Sequence, residues 1–257
     1  MKTTDDAIPV LGWQGEALDC SACAHTDLYA EAGCEPGRAC VEDRYAKRID
    51  RFFARNPQLA DGQLEHPYFE VRAVACKYAS VFRLPAMLAD PDETVRASAA
   101  MRVPPRQLEA LIDDPHREVR IRVATRLDPN RLFAMAADED YYVRRVVAQR
   151  IPASYLPQMR KDPEATVRVE VARRIAPIWV LTMHADADAA VRCEVARRAP
   201  VERLGLMARD ADCRVRWEVA LRALPDVLMR LLADAVEPVR ELAGRRLDEP
   251  DYLAEEA

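Results

Sequence analysis

The sequence predicts an all-α protein in which short helices stack as a solenoid behind a small N-terminal metal-binding module. Three observations support this prediction: a 24-residue repeat, a composition rich in proline, and a cluster of cysteines near the N-terminus. The 257 residues include 18 prolines but only seven glycines, and 6% of them are aromatic. That balance suits many short helices ended by proline better than sheets joined by glycine turns.

The repeat is marked by the dipeptide Val-Arg, which recurs at one constant spacing without an insertion. Its eight copies begin at positions 71, 95, 119, 143, 167, 191, 215 and 239. With the valine counted as position 1, positions 5, 6 and 9 are apolar and position 8 is nearly always arginine. A proline usually follows at position 10 or 11, leucine or methionine at positions 14 and 17, and aspartate at position 20. Stacked units bury together an apolar stripe that one unit cannot bury alone.

The residue pattern of each unit predicts one α-helix and one further short turn of helix. Positions 1, 5, 6 and 9 lie on one face of an α-helix. The aspartate at position 20, such as Asp90, is predicted to be the N-cap of the next helix, with Glu93 completing a capping box. The proline ends the helix. Leu132 and Met135 are three residues apart, a spacing that a 3₁₀ segment or an α-turn could provide.

Four cysteines stand apart from the repeats. Cys20, Cys23, Cys34 and Cys40 follow one another closely, whereas the whole remainder of the chain contains three more. Clustered thiols in a reducing compartment more often bind metals than form disulfides, and the total of seven is odd. One close pair with two outlying thiols can hold a zinc ion or an iron–sulfur cluster, and the spacing alone leaves both open.

The period of 24, without strand alternation, resembles that of the leucine-rich repeat variant (LRV) family. The resemblance covers residues 71–257 as eight repeats with the last truncated, residues 46–70 as a degenerate first repeat, and residues 1–45 as an N-terminal module. In the last repeat, Tyr252 and Glu255 depart from the pattern at positions 14 and 17. The family implies a right-handed superhelix in which α-helices alternate with 3₁₀-helices.

The resemblance also implies a cofactor, because some members of the family carry a 4Fe–4S cluster on four N-terminal cysteines. It assigns Cys20, Cys23, Cys34 and Cys40 as the ligands of that cluster, with a single zinc ion as the alternative. His25 lies between them and is expected beside the ligands or at the surface.

The three remaining cysteines have no such assignment. Cys76 occupies the small position 6 and is expected in the core. Cys193 and Cys213 stand at positions 3 and 23 without a regular partner, and each is expected to have only a structural role.

Arginines form two columns along the repeats. The column at position 2 runs from Arg72 to Arg240, and that at position 8 runs from Arg102 to Arg246. A position-2 stripe could bind phosphates or an acidic partner. We expect instead a ladder in which each arginine binds the aspartate at position 20 of a nearby unit. The position-8 arginines are expected at the exposed surface.

The charge balance and the motifs argue against two classes of function. Residues 71–257 hold 31 basic and 30 acidic side chains, a balance that argues against a nucleic-acid-binding protein. The four histidines fall at unrelated positions and no glycine-rich phosphate loop occurs, so we do not expect an enzyme. Without a signal peptide or a membrane-spanning segment, the expected location is the cytoplasm.

The sequence thus predicts a scaffold that binds a protein partner and carries a 4Fe–4S cluster with a structural, redox or iron-sensing role. One alternative is an electron-transfer protein that passes electrons through the cluster to a docked partner. A helical repeat protein that binds nucleic acid is a further alternative. Members of the family occur in nitrogen-fixing bacteria, so a link to that metabolism is expected from the resemblance.

Overall fold

The structure is a computed structural model that describes residues 9–248, so the predicted departures at Tyr252 and Glu255 lie outside the described residues. Within residues 9–248 the chain forms helices and turns, and its only extended pairings are three isolated bridges. None of the described helices is long and apolar enough to cross a bilayer. The chain divides into two units, residues 1–128 and residues 129–257.

The first unit contains the N-terminal module and the first repeats. Its α-helices are α1 (Thr26–Ala30), α2 (Ala46–Arg55), α3 (Phe69–Tyr78), α4 (Glu93–Ala100) and α5 (Arg117–Arg126). Three 3₁₀-helices lie between them, at Pro57–Gln63, Leu84–Ala89 and Pro105–Leu111. The α-then-3₁₀ order is already present in residues 46–63, ahead of the first Val-Arg dipeptide.

The second unit continues the same alternation. Its α-helices are α6 (Tyr141–Arg150), α7 (Ala165–Arg174), α8 (Pro177–Val180), α9 (Ala189–Arg198), α10 (Cys213–Arg222), α11 (Pro225–Leu231) and α12 (Glu237–Asp248). Its 3₁₀-helices are Pro129–Met135, Leu156–Gln158, Leu181–Met183 and Val201–Leu206. The short α8 and α11 stand where other repeats begin a 3₁₀-helix, so the α-turn is used in those two repeats.

The predicted apolar positions form the core of each unit. The valines at position 1 are buried in all eight repeats, and positions 5 and 6 are buried in nearly all of them. Positions 14 and 17 supply side chains from the short helices, among them Leu132 and Met135, which are 0% and 2% exposed. Each fully buried side chain of this size contributes about 1.5–3 kcal/mol. The prediction of the core from the repeat is therefore confirmed.

The predicted helix start is wrong by two residues. The N-cap of α4 is Asp92, whose side chain accepts a hydrogen bond from Thr94 N at 2.8 Å. Asp90 and Glu93 do not form the predicted capping box, because Glu93 is the first residue of the helix. Asp90 instead accepts a hydrogen bond from Asp92 N at 2.9 Å and pairs with Arg72. The aspartate at position 20 therefore pairs with an arginine and stabilises the turn that precedes the N-cap.

The arginines at position 2 bind the aspartates at position 20 as predicted, but each partner belongs to the same 24-residue unit and not to a nearby one. In each pair, Nε and Nη2 donate to the two carboxylate oxygens of the aspartate 18 residues later, at 2.6–3.0 Å. Nη1 donates to backbone carbonyls of the preceding turn, as from Arg96 to Asp90 O at 3.0 Å. The pairs are Arg72–Asp90 and Arg96–Asp114 in the first unit, and Arg144–Asp162, Arg168–Asp186, Arg192–Asp210 and Arg216–Asp234 in the second.

The arginines at position 8 were predicted to be exposed, and this is wrong. Arg102 Nη1 donates to Cys76 O at 2.8 Å and to Ala79 O at 2.6 Å, both at the end of the preceding helix. The last carbonyls of a helix lack hydrogen-bond partners within that helix. A cation at this end also interacts favourably with the helix dipole. Arg126 in the first unit and Arg174 in the second make the equivalent pair of bonds. Arg198, Arg222 and Arg246 also donate to carbonyls near the end of the preceding helix.

Candidate metal centre

The loops of the N-terminal module bring the four predicted ligands into one region. Cys20 and Cys23 lie in the turn before α1, Cys34 follows α1, and Cys40 precedes α2. All four are half-buried and carry free thiols. A cavity of about 300 Å³ is lined by Cys20, Cys23 and Cys40. Cys34 lies near enough to this group for the Cys23 and Cys20 thiols to raise its pKa.

The first pair of cysteines is held by a turn that Asp19 closes. Its carboxylate accepts hydrogen bonds from Ser21 N at 2.9 Å and from Ser21 Oγ at 2.6 Å. After the turn, His25 N lies 3.4 Å from Cys23 Sγ, and Thr26 N donates to Cys23 O at 3.2 Å. The Cys23 sulfur therefore faces backbone N–H, which stabilises negative charge on a thiolate.

A reversal of the chain at the end of α1 brings Cys34 back towards this turn. The N–H groups of Gly33 and Cys34 both donate to Leu28 O, at 2.7 and 3.2 Å. Ala32 has a φ of 57°, a left-handed conformation that reverses the chain at the helix end. The buried Asn56 of the first repeat fixes the reversed segment by donating from Nδ2 to Gly33 O at 2.7 Å.

Cys40 is anchored to α2. Its N–H donates to Arg48 O at 3.1 Å. The Arg48 side chain, 1% exposed, donates from Nη1 to Asp43 Oδ2 at 3.1 Å and to Pro9 O at 3.1 Å. Asp43 is fully buried and also accepts a hydrogen bond from Tyr45 N at 2.8 Å. One buried ion pair therefore ties the two ends of the module to the first repeat.

The surroundings of Cys34 and Cys40 favour their protonated thiols. Burial raises the pKa of Cys40 to about 12. The pKa of Cys34 is raised by burial and then by the neighbouring Cys23 and Cys20. Because metals bind thiolates, these thiols must lose protons on loading, and the metal must supply the charge that offsets them. The donor set therefore fits a thiolate-ligated metal group.

The four thiols are not drawn together around a single point. Across residues 9–248, no three histidine, cysteine or acidic side chains are grouped closely enough to hold a single metal ion.

His25 lies beside the predicted ligands, as the sequence indicated. Its backbone carbonyl is 4.0 Å from Cys34 Sγ, and its ring centroid is 5.4 Å from that of Phe52. Its Nε2 lies 3.4 Å from Gln63 Nε2. The ring thus packs on the first repeat while the backbone faces the sulfurs.

Sequence reasoning missed the residues that hold the module on the repeats. Arg48 and Asn56 bond to it from α2 and its C-terminal end, and Trp13 of the module stacks on Tyr68 with ring centroids 5.8 Å apart. His66 contacts the same indole at 5.8 Å. Their signal was weak: they are aromatic and polar residues in a segment that matches the repeat poorly.

The other three cysteines differ in burial. Cys76 is fully buried at position 6, which confirms its predicted place in the core. Cys193 is 8% exposed and Cys213 is exposed, and both carry free thiols. These two line one groove of the second unit.

Two family models match the chain. The model described as LRV protein FeS4 cluster matches residues 10–62, and the model described as leucine rich repeat variant matches residues 189–212. The first range contains the four clustered cysteines and no others. The module therefore binds a 4Fe–4S cluster, and the assignment of these four thiols as its ligands stays a prediction.

A curated relative from Rhodobacter capsulatus is described as an uncharacterized 27.7 kDa protein in the nifB 3′ region. It is 54% identical over 99 residues, which are 38% of this chain. The chain spans about 40% of the length of this relative.

A solved structure described as a leucine-rich repeat variant with a novel repetitive protein structural motif superposes with a TM-score of 0.84. It is 39% identical, and the match covers 89% of this chain and 98% of that one. The predicted right-handed α-solenoid of alternating α- and 3₁₀-helices is therefore confirmed. The chain belongs to the leucine-rich repeat variant family and carries the iron–sulfur module of that family at its N-terminal end.

Proposed function

We propose that this protein is a non-enzymatic scaffold that binds another protein, and that its 4Fe–4S cluster holds the N-terminal module as a cap on the first repeat. The observation that carries the capping role is the set of bonds between the cysteine loops and α2. Cys40 N donates to Arg48 O at 3.1 Å, and Asn56 Nδ2 donates to Gly33 O at 2.7 Å. The end of a repeat array needs such a cap because its first unit has no neighbour on one side.

The cluster supplies metal–thiolate bonds and the capacity for one-electron redox change when it is bound. The chain supplies the positions of the thiols. Asp19 fixes the first turn, Asn56 fixes the segment before Cys34, and Arg48 fixes Cys40. Because the module has few buried apolar residues, the free energy of metal binding contributes directly to its folding.

The repeats support the scaffold role. The arginines at positions 2 and 8 bind aspartates and backbone carbonyls of the same chain, which weighs against a basic stripe for nucleic acid. The histidines lie in separate settings, and His66 and His116 each stand beside a glutamate at 3.8 and 3.7 Å. These surroundings suggest no catalytic set. We place the protein in the cytoplasm, where thiols stay reduced.

The curated relative adds a genomic context to the proposal. That protein is described by its position in the nifB 3′ region, which agrees with the link to nitrogen fixation expected from the family. We propose that the partner of the scaffold belongs to that metabolism.

The capping role predicts a graded response to loss of a ligand. In Cys34→Ser, hydrogen exchange should quicken in residues 9–45 first and then around Val71 and Val95, because each unit of a repeat protein depends on its neighbours. Amides near Val191 and Val215 should keep their protection. Cys213→Ser is the matched control, since this exposed thiol lies outside the module. Faster exchange confined to residues 9–45 would show that the module does not cap the repeats.

Electron transfer is the second candidate, and one observation favours it. Cys20 and Cys23 are half-buried and line a cavity on the module, so a docked protein could approach the cluster from that side. The test is anaerobic purification, iron analysis and a redox titration followed by visible absorbance. Reversible one-electron reduction would support a carrier that accepts an electron from a donor and gives it to an acceptor. An irreducible cluster would exclude this role and leave the cap in place.

A further inference from the structure

A groove crosses the helices of the second unit, from α7 through α9 and α10 to the start of α12. Its volume is about 520 Å³. Its floor is formed by the position-3 side chains of three successive repeats, Val169, Cys193 and Trp217, with Pro238 and Val239 at the end. Trp217 is 38% exposed, so the floor offers an indole and small apolar side chains to a ligand.

Guanidinium groups stand above carboxylates along this floor. Arg173 Nη2 lies 3.2 Å from Glu194 Oε1, and Arg197 Nη2 lies 2.6 Å from Glu218 Oε1. The glutamate side chains are 9% and 13% exposed, whereas both arginine side chains are 51% exposed. The pairs are balanced in charge, but their acidic members lie beneath and their basic members face outwards. Beside Trp217, Arg214 Nη2 lies 2.7 Å from Asp212 Oδ2, and here too the arginine side chain is the more exposed member, at 68% against 22%.

The length of the floor limits what fits there. Packed helices lie about 8–10 Å apart, so the three position-3 side chains extend over roughly 16–20 Å. An extended peptide rises about 3.3–3.6 Å per residue, so roughly five or six residues would span them. In the next repeat the exposed Glu241 occupies position 3 and ends the apolar floor.

We propose that this groove binds an acidic segment of a partner protein, with apolar side chains on the floor and carboxylates on the arginine rim. Apolar anchors beside Trp217 provide the buried contact area that peptide recognition needs. The charged rim favours an acidic partner over a basic one. The inference rests on the scaffold role but needs nothing from the cluster, so its failure would leave the capping experiment unaffected.

The probe is a fluorescein-labelled six-residue peptide that alternates glutamate with leucine, added to the full cluster-bearing chain. Fluorescence anisotropy should show saturable binding that weakens as salt rises. Peptides with lysine in place of glutamate, or with serine in place of leucine, should bind at least about fivefold more weakly. The peptide should also slow alkylation of the exposed Cys213.

Two groove variants and two matched controls locate the site. Trp217→Ser and Arg214→Gln should each weaken binding about fivefold or more, since loss of an interface anchor costs more than about 1 kcal/mol. Leu206→Ser and Arg203→Gln change exposed residues of the 3₁₀-helix Val201–Leu206 and should not alter binding.

Several results would overturn the proposal. These are no binding of the acidic peptide, equal binding of the lysine or serine peptide, or binding that survives both groove variants. A single-stranded oligonucleotide that binds more tightly than the peptide and is lost in Trp217→Ser would assign the groove to nucleic acid instead.

Discussion

The N-terminal module and the repeats order short segments of chain in opposite ways. In the repeats the same residue types return to the same positions, so each buried valine and each arginine–aspartate pair has copies in neighbouring units. Over residues 9–45, the module has one helix of five residues, α1, which buries none of its side chains. Its described residues are held by single contacts such as Arg48–Asp43. Because the contacts that hold the module are not repeated, the loss of one of them is not compensated by a neighbouring unit.

The largest effect is expected where the module is held by one buried ion pair. Arg48→Ala leaves the fully buried Asp43 without its cation, and breaking such a pair costs about 3–5 kcal/mol. We expect the module to unfold at markedly lower denaturant, as followed by cluster absorbance and by hydrogen exchange in residues 9–45. Lys47→Ala, a change at an exposed position of α2, is the control and should change little. Equal effects of the two variants would show that the ion pair does not anchor the module.

A smaller effect is expected from one rung of the arginine ladder. Arg144 binds Asp162 through two hydrogen bonds at 2.7 and 3.0 Å, and its side chain is 11% exposed. Arg144→Ala should lower the free energy of unfolding by about 1.5–3 kcal/mol, the range for sheltered bonds to charged groups. The control is Arg230→Ala, whose pair with Asp226 is exposed at 3.7 Å and should cost under about 1 kcal/mol.

The Arg144 measurement also separates two roles for the ladder. Unchanged stability in Arg144→Ala, together with loss of polyanion binding, would contradict the structural role and restore the surface role considered from the sequence.

Repetition explains why so much of the repeat region could be predicted. A valine that recurs at the same place in every repeat can only be a buried stacking position, and the same holds for the small alanine at position 6. The helix start could not be placed, because Asp90 and Asp92 are both good caps and the choice depends on Arg72. The position-8 arginines were misjudged because their partners are carbonyls of another repeat.

For the metal site, the sequence predicted the ligand chemistry but not the residues that position the ligands. Four thiols at close spacing point to a metal whatever their surroundings. The residues that position them do not form a pattern in the sequence: Asn56 bonds to Gly33 across 23 residues, and Arg48 bonds to Pro9 across 39. Such contacts depend on the tertiary fold and do not follow the 24-residue repeat.

A smaller effect on stability, which depends on pH, is expected from replacing one aspartate of the ladder. Hydrogen bonds from Arg216 lower the pKa of Asp234, while burial opposes them. A lowered pKa in the folded state gives stability that is present above the unfolded value, near 3.8, and is lost as pH falls through the folded value. Asp234→Asn should therefore cost about 1 kcal/mol at neutral pH, and this difference from the unaltered protein should shrink below about pH 4.

Urea unfolding at several pH values measures that difference. Asp226→Asn is the control, because the Asp226 carboxylate is 65% exposed. A gap between Asp234→Asn and the unaltered protein that stays constant down to acid pH would show that Asp234 does not titrate with folding.

The smallest effect is expected from the buried Cys76, and the sharpest contrast between the regions comes from comparing it with the half-buried Cys40. Burial raises the pKa of Cys40 to about 12, and burial raises that of Cys76 to about 12 as well. Their neighbours differ, since Cys40 lies near Cys23 whereas Cys76 lies near Asp90 and Arg102. Burial alone therefore does not mark a ligand, and the company of other thiols does.

Cys76→Ala should leave the iron content unchanged and lower stability by at most about 1 kcal/mol, because it removes one buried sulfur. Alanine already stands at this position in the next repeat, as Ala100, so the change fits the helix packing. Cys40→Ala should lose the visible absorbance and most of the iron. Loss of iron from Cys76→Ala, or full iron in Cys40→Ala, would contradict the ligand assignment. The outcome expected here would show that a thiol becomes a ligand through the loops of the module rather than through its own burial.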